Sequence, residues 1–164
     1  MVTNLPGVGL NRGVGLYRAT SRDTDALTTS QLRTFHHHQP WSGAAGHGRE
    51  WNRKLVAEGL YYRITLAGHE VGGLIVTRPG WDHFHIVRIW VEPEQQGRGV
   101  GSRALALLEA SHRQGGLWTA EVPARARRRH RFFQRNGYEV VGESPTTVQL
   151  AKWRPGLLRL RSLP

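Results

Sequence analysis

Apolar and polar positions change their spacing several times along this chain, and each change marks an element. Leu16–Ala19 reads as a short strand. Ser21 to Asp25 then offers helix-capping side chains ahead of Ala26, Leu27 and Leu32, which predicts a helix to about His36. The polar, glycine-rich stretch HHHQPWSGAAGHG reads as a loop, and Glu50–Glu58 as a short second helix closed by Gly59. Leu60–Leu66 and Val71–Thr77, joined through Ala67-Gly68-His69-Glu70, read as a hairpin carrying Tyr61, Tyr62, Ile64, Val71, Leu74, Ile75 and Val76. Arg78-Pro79-Gly80 is a turn, and His83–Val91 is a fourth strand closed by Glu92-Pro93.

The second half alternates in the same way. Val100, Ala104, Leu107, Leu108 and Ser111 recur at helical spacing, predicting a helix from about Gly101 to Arg113, with Gly115-Gly116 after it. Leu117–Val122 reads as a strand. Pro123 opens an Arg-rich helix that ends near Asn136-Gly137, and Tyr138–Gly142 and Thr147–Leu150 form a last pair of strands. The order is strand, two helices, three strands, helix, strand, helix, two strands. A mixed α/β sheet with helices on both faces packs such an order. Residues 1–15 form a flexible Gly-rich tail, 16–152 one domain, and 153–164 a basic tail.

Composition narrows the chemistry. The 164 residues contain no cysteine, which excludes disulfides, thiolate zinc sites and cysteine nucleophiles. No apolar run nears the roughly 20 residues of a membrane-spanning helix, and the first residues lack a signal-peptide core. A soluble, cytoplasmic protein is expected. The formal net charge of +11 attracts anions: a phosphate-rich cofactor, nucleic acid or an acidic protein. Nearly all of that charge is Arg, the only lysines being Lys54 and Lys152.

Three glycine runs compete for a phosphate. GVG occurs at Gly7–Gly9 and Gly13–Gly15, without a strand before or a helix after, so both read as linker. The third, in QQGRGVGS from Gln95 to Ser102, follows a strand and opens a helix. Helix N-termini leave N–H groups unpaired and carry partial positive charge, and glycines let a phosphate approach the backbone. No Gly-Lys pair exists for a Walker loop, and Ser102 stands where the dinucleotide fingerprint needs its third glycine. A plain strand-to-helix turn is the alternative reading.

Read whole, Val91, Pro93 and Gln96-x-x-Gly99-x-Gly101, followed by a Leu/Ala helix, resemble the acetyl-coenzyme A motif of the GNAT N-acetyltransferases. Arg131-Phe132-Phe133-Gln134-Arg135-Asn136-Gly137-Tyr138 resembles that family's aromatic helix end. The likeness runs from about Leu16 to Leu150. It implies the GNAT fold: a mixed, mostly antiparallel sheet of six to seven strands. It implies acetyl-CoA as co-substrate and an amine as acceptor. By the same likeness, the backbone of Ile89 and Val91 holds the pantetheine and acetyl carbonyl. That of Arg98, Gly99, Gly101 and Ser102 holds the pyrophosphate, with Gln96, Gly97 and Val100 completing the loop.

Two residues are candidates for the base that an attacking ammonium needs. His85 lies six residues before Val91, where histone-type members carry a glutamate. Glu121 lies twelve residues before Phe133, as a glutamate does in the ribosomal-protein N-terminal acetyltransferases. The family's usual acid, a tyrosine, is Phe133 here, and the asparagine that often contacts the cofactor falls at Ala126. Tyr138 reads as core packing. His36-His37-His38 looks like a metal tract, but consecutive residues do not converge from one helix face, so no metal is expected. Trp41, Trp51 and Trp81 could line an acceptor pocket, core packing being the commoner role. Three functions stay open: acetylation of a small or peptide amine, acetylation of an amine on an aminoacyl-tRNA or other nucleic acid, and a non-catalytic acetyl-CoA-binding module. RNA or the ribosome is a possible partner of the basic surface, and the family resemblance admits a homodimer.

Overall fold

The computed structural model describes residues 13–35 and 49–154. Seven strands, β1 (Val14–Arg18), β2 (Tyr61–Leu66), β3 (His69–Thr77), β4 (His83–Val91), β5 (Leu117–Pro123), β6 (Glu139–Glu143) and β7 (Thr147–Trp153), form one sheet in the order β1-β2-β3-β4-β5-β7-β6. Among the described residues four α-helices accompany them: α1 (Thr24–Phe35), α2 (Arg49–Ala57), α3 (Val100–Ser111) and α4 (Arg127–Arg135). The mixed, mostly antiparallel α/β sheet expected from the sequence is present; β4 and β5 are the parallel pair. Among the described residues no helix is long and apolar enough to cross a membrane. They fall into two compact units. One takes in the chain up to Ile75 together with Arg88–Leu108, the other Val76–Val87 together with the chain from Glu109 onward.

In the first unit, local chemistry explains the element ends. Thr20 donates to the Asp23 carboxylate through both its N–H and its hydroxyl, each at 2.7 Å, which fixes the 3-10 turn that enters α1. Ala67 and Gly68 both take positive φ, 49° and 85°, as a two-residue hairpin turn between β2 and β3 requires. The strand therefore resumes at His69, two residues sooner than Val71. β1 also starts early: Val14 and Gly15 pair with Leu66 and Thr65, so the end of the expected tail is strand. Leu27, Tyr61, Ile64, Leu74, Ile75, Trp90 and Leu105 form the core of this unit. Tyr61 meets Trp90 edge to face at 5.8 Å.

The second unit is built around β5. It pairs in parallel with β4 from His83↔Leu117 to Ile86↔Ala120, and antiparallel with β7 along its whole length, from Leu117↔Trp153 to Pro123↔Thr147. Two boundaries differ from the sequence reading. α4 begins at Arg127, because Pro123 ends a strand and the chain turns through Ala126 N–H to Pro123 C=O (2.8 Å) before the helix. β7 runs past Leu150 to Trp153 because β5 offers it three more partners. Phe84 stacks on Trp118 at 4.7 Å, and Ile86, Ala120, Val122, Phe133, Tyr138, Val148 and Leu150 complete the core.

Gly72 and Gly73 on β3 are buried against Trp90. A Cβ at Gly72 would collide with the Trp90 carbonyl, and one at Gly73 with the Trp90 ring. Backbone cannot give way as a flexible side chain can. Gly72→Ala is expected to lower the unfolding free energy by about 2–3 kcal/mol in urea titration. A loss below about 0.5 kcal/mol, the level of an ordinary surface change, would show that the strands part without strain.

Candidate active site

The glycine turn belongs to the first unit. β4 ends at Val91, and a 3-10 turn over Pro93–Gln95 follows. The Gln96 side-chain amide donates back to the Val91 carbonyl at 2.8 Å, and Arg98 donates to the Gln95 side chain at 3.1 Å. Gln96 thus braces the turn. Gly97 and Gly99 both have φ of 76°, a left-handed conformation that L side chains rarely adopt, and a Cβ on either would meet open space. Arg103 N–H bonds to Gly99 C=O at 3.0 Å, so Gly99 caps α3. Val100 and Gly101 occupy the first helical turn, where N–H groups have no intrahelical acceptor. That turn holds no carboxylate. The Val100 side chain is buried, leaving only its backbone to meet a ligand. Gly101 sits inside the helix and is not among the glycines with positive φ. An exposed turn of this kind fits a diphosphate. Ile89 and Val91 lie on β4 beyond the end of its ladder with β5.

His85 and Glu121 belong to the second unit, and the structure brings them together. Both line an open pocket of about 220 Å³ with Thr119, Ala120, Val141, Gln149 and Leu150. The pleat explains the grouping. Thr119 and Glu121 are two apart on β5 and share a face. His85 is opposite Thr119 on β4, and Gln149 is opposite Glu121 on β7. On β6 the register shifts between Val140 and Gly142, and this bulge accompanies the appearance of Val141 in the pocket lining. The Thr119 hydroxyl lies 3.0 Å from His85 Nδ1 and 2.8 Å from His83 Nε2. Burial, and then the neighbouring His83, hold His85 below the ordinary imidazole value of 6.5, while Glu121 pulls it back up. At neutral pH His85 is therefore an uncharged imidazole.

The aromatic helix end packs. Phe133 is buried edge to face with Tyr138 at 5.2 Å. Tyr138 donates to Glu109 at 2.9 Å, and Lys152 holds the other Glu109 oxygen at 2.6 Å. Burial, with Glu109 beside it, raises the Tyr138 phenol well above its usual range, so it is no proton donor to a reaction. Ala126 precedes α4 without a capping side chain. Trp51 lies beneath the Arg88 guanidinium at 5.6 Å, and Trp81 is 75% exposed. Trp41 and His36-His37-His38 lie outside the described residues. Among the described residues no three His, Asp or Glu gather as a metal site would need. Sequence reasoning missed His83, Thr119, Val141 and Gln149. The signal for two of them was present: His83 and His85 alternate on one strand, as Thr119 and Glu121 do on the other.

Residues 55–140 match the family described as Acetyltransferase (GNAT) domain. The aminoalkylphosphonate N-acetyltransferase of Salmonella typhimurium is 31% identical over 135 residues, 76% of this chain and 84% of that protein. A tRNA(Met) cytidine acetyltransferase of a Thermococcus species is 43% identical over 63 residues, 38% of this chain but 8% of that protein. Among solved structures, the PaiA N-acetyltransferase of Thermoplasma acidophilum in complex with coenzyme A has a TM-score of 0.74 at 12% identity. That likeness covers 87% of this chain and 99% of that one.

A left-handed side chain costs about 1–2 kcal/mol. If the turn cradles the pyrophosphate, the double variant Gly97→Ala, Gly99→Ala will bind coenzyme A about tenfold or more weakly by calorimetry, with its circular dichroism spectrum unchanged. Unaltered affinity would remove the turn from the cofactor site.

Proposed function

We propose, from the premise that this chain belongs to the GNAT acetyltransferase family and is an acetyl-CoA-dependent N-acetyltransferase, that His85 and Glu121 handle the acceptor amine. The observation that carries this reading is their convergence in one pocket with Gln149. Acetyl-CoA supplies the acetyl thioester. The turn from Gln96 to Gly99, with Val100, Gly101 and Ser102, would hold its pyrophosphate, and Ile89 and Val91 its pantetheine arm.

Magnitudes separate the roles of the two side chains. An alkyl ammonium titrates near 10, as lysine does, and must lose a proton before it attacks. A carboxylate near 4.3 falls about 6 units short, about 8 kcal/mol; an imidazole near 6.5 falls about 3.5 units short, about 5 kcal/mol. The imidazole is the better base and the carboxylate the better counter-ion. Glu121 draws and orients the cationic acceptor, and neutral His85 takes its proton. Position 133 supplies no proton, since phenylalanine has none to donate.

The acceptor is a small amine. The size of the pocket supports this, as does similarity over most of the length of an aminoalkylphosphonate acetyltransferase. The charge of +11 favours an acceptor that also carries an anionic group. The second reading, an amine on RNA, is supported by exposed Arg127, Arg128, Arg131 and Arg135 on α4. The partial likeness to a tRNA acetyltransferase adds to it. Exposed Val140 and Val141 on edge strand β6 support a homodimer, and the lack of cysteine supports a cytoplasmic location.

The test is a panel of aminoalkylphosphonates, polyamines, peptide N-termini and aminoacyl-tRNA assayed for thiol release from acetyl-CoA. Small amines are expected to turn over; exclusive use of aminoacyl-tRNA, lost steeply with salt, would replace this reading with the second. His85→Ala should lower kcat by roughly 10²–10⁴-fold, whereas Glu121→Gln should act mainly on the KM for the amine. The acid limb of kcat reports His85 in the substrate complex. Because its pKa is lowered, activity is lost only as pH falls below 6.5, and that limb disappears in His85→Ala.

A further inference from the structure

One hydroxyl serves two histidines. Thr119 Oγ1 is 2.8 Å from His83 Nε2 and 3.0 Å from His85 Nδ1. A threonine hydroxyl has one proton to give and lone pairs to accept with. With both imidazoles neutral, the hydroxyl either accepts from both rings or links them, one ring donating to the oxygen and the other accepting from it; only a linked arrangement can pass a proton. The two possible directions leave opposite tautomers at His85. If Thr119 donates to His85 Nδ1, the His85 proton sits on Nε2 and the ring offers no lone pair to a substrate. If His85 Nδ1–H donates to Thr119, then Thr119 donates to His83 Nε2, and His85 Nε2 is a free base.

We propose that His83, Thr119 and His85 form a proton relay that sets the base-competent tautomer of His85 and carries the amine's proton out of the pocket. The N–H bond of the ammonium breaks and a bond forms at His85 Nε2. The proton on His85 Nδ1 passes to Thr119 Oγ1, and the proton Thr119 already held passes to His83 Nε2. His83, now protonated on both nitrogens, releases its Nδ1 proton to water. One proton has left the amine and one has entered solvent. The relay resets when His83 Nδ1 takes a proton from water, the two transfers run backward, and His85 Nε2 gives its proton to the thiolate that loss of the acetyl group leaves, so that the products are amide, thiol and one proton in solvent.

The surroundings give the relay a direction. His85 is buried enough that a charged ring there is disfavoured. The charged or titratable groups bearing on it are His83 on its own strand and Glu121 on β5; Gln149 from β7 and Val141 from β6 carry no charge. His83 begins the strand beside Asp82 and is only partly buried, so a proton delivered to it has a route to water. Two histidines alternate on β4 and the parallel register sets His85 against Thr119, so the bridge is a product of strand pairing.

This proposal rests on His85 being the base, and the test separates the two ideas. Thr119→Val removes the hydroxyl at similar shape, Thr119→Ser keeps it, and His83→Asn breaks the far end. In the protein without substrates, ring-nitrogen NMR should show wild-type His85 with its proton on Nδ1 and its titration coupled to that of His83. In Thr119→Val and His83→Asn, the tautomer bias and the coupling should be lost, and in Thr119→Ser both should return. In turnover, Thr119→Val should lower kcat about 10–100-fold with the amine KM within about twofold, and Thr119→Ser should recover most of it. Wild-type kcat together with an unchanged His85 tautomer in Thr119→Val would overturn the relay. If Thr119→Val does not fold, the same two readings on His83→Asn decide. Full activity in His85→Ala would instead overturn the assignment of the base, while the tautomer measurement still reports whether the bridge exists.

Discussion

The register of β5 against β7 governs the second unit. Seven residue pairs, from Leu117↔Trp153 to Pro123↔Thr147, hold β5 in place, while its parallel ladder with β4 covers only four. Because a strand alternates faces with period two, this register buries Trp118, Ala120 and Val122 and turns Thr119 and Glu121 to the pocket. A slip of one residue would bury the carboxylate and expose the tryptophan. The stacked Phe84 and Trp118 make such a slip costly, so the core that stabilises the unit also decides which side chains line the pocket.

The glycine turn follows a different logic. Its candidate ligand groups are backbone amides, and the side chains around them serve geometry. Gly97 and Gly99 supply positive φ, Gln96 ties the turn to the end of β4, and Val100 anchors the new helix in the core. The pocket of His85 and Glu121 depends on side chains instead, drawn from the four strands β4, β5, β6 and β7. This contrast matches the demands on the two sites: a diphosphate can be held by helix and turn amides, whereas proton transfer needs titratable groups at hydrogen-bond distance.

The same contrast explains what was legible. The strand–turn–helix from Ile86 to Ser111 could be read directly, because periodicity, a proline and three glycines are adjacent in sequence. Tyr138 was read as core for the same reason. Boundaries slipped where a partner strand decided them. Pro123 suits either a helix start or a strand end, and pairing with Thr147 chose the strand. Val14 and Gly15 looked like tail until β2 gave them partners. Alternation puts Thr119 on the face of Glu121, but threonine is favoured in strands generally, so nothing nearby in the sequence marked it as a neighbour of two histidines.

By itself the sequence determined the fold family, a glycine turn between β4 and α3, and two residues able to act on a proton. Those features rest on interactions within a few residues of one another, or on a periodicity that any stretch reveals alone. The tertiary structure decided that His85 and Glu121 share a pocket, that Gln149 and Val141 line it, and that one hydroxyl stands between His83 and His85. Those residues are 34 or 36 positions from Thr119. Only the parallel pairing of β4 with β5 brings them within a hydrogen bond, because a parallel ladder joins strands that lie far apart along the chain.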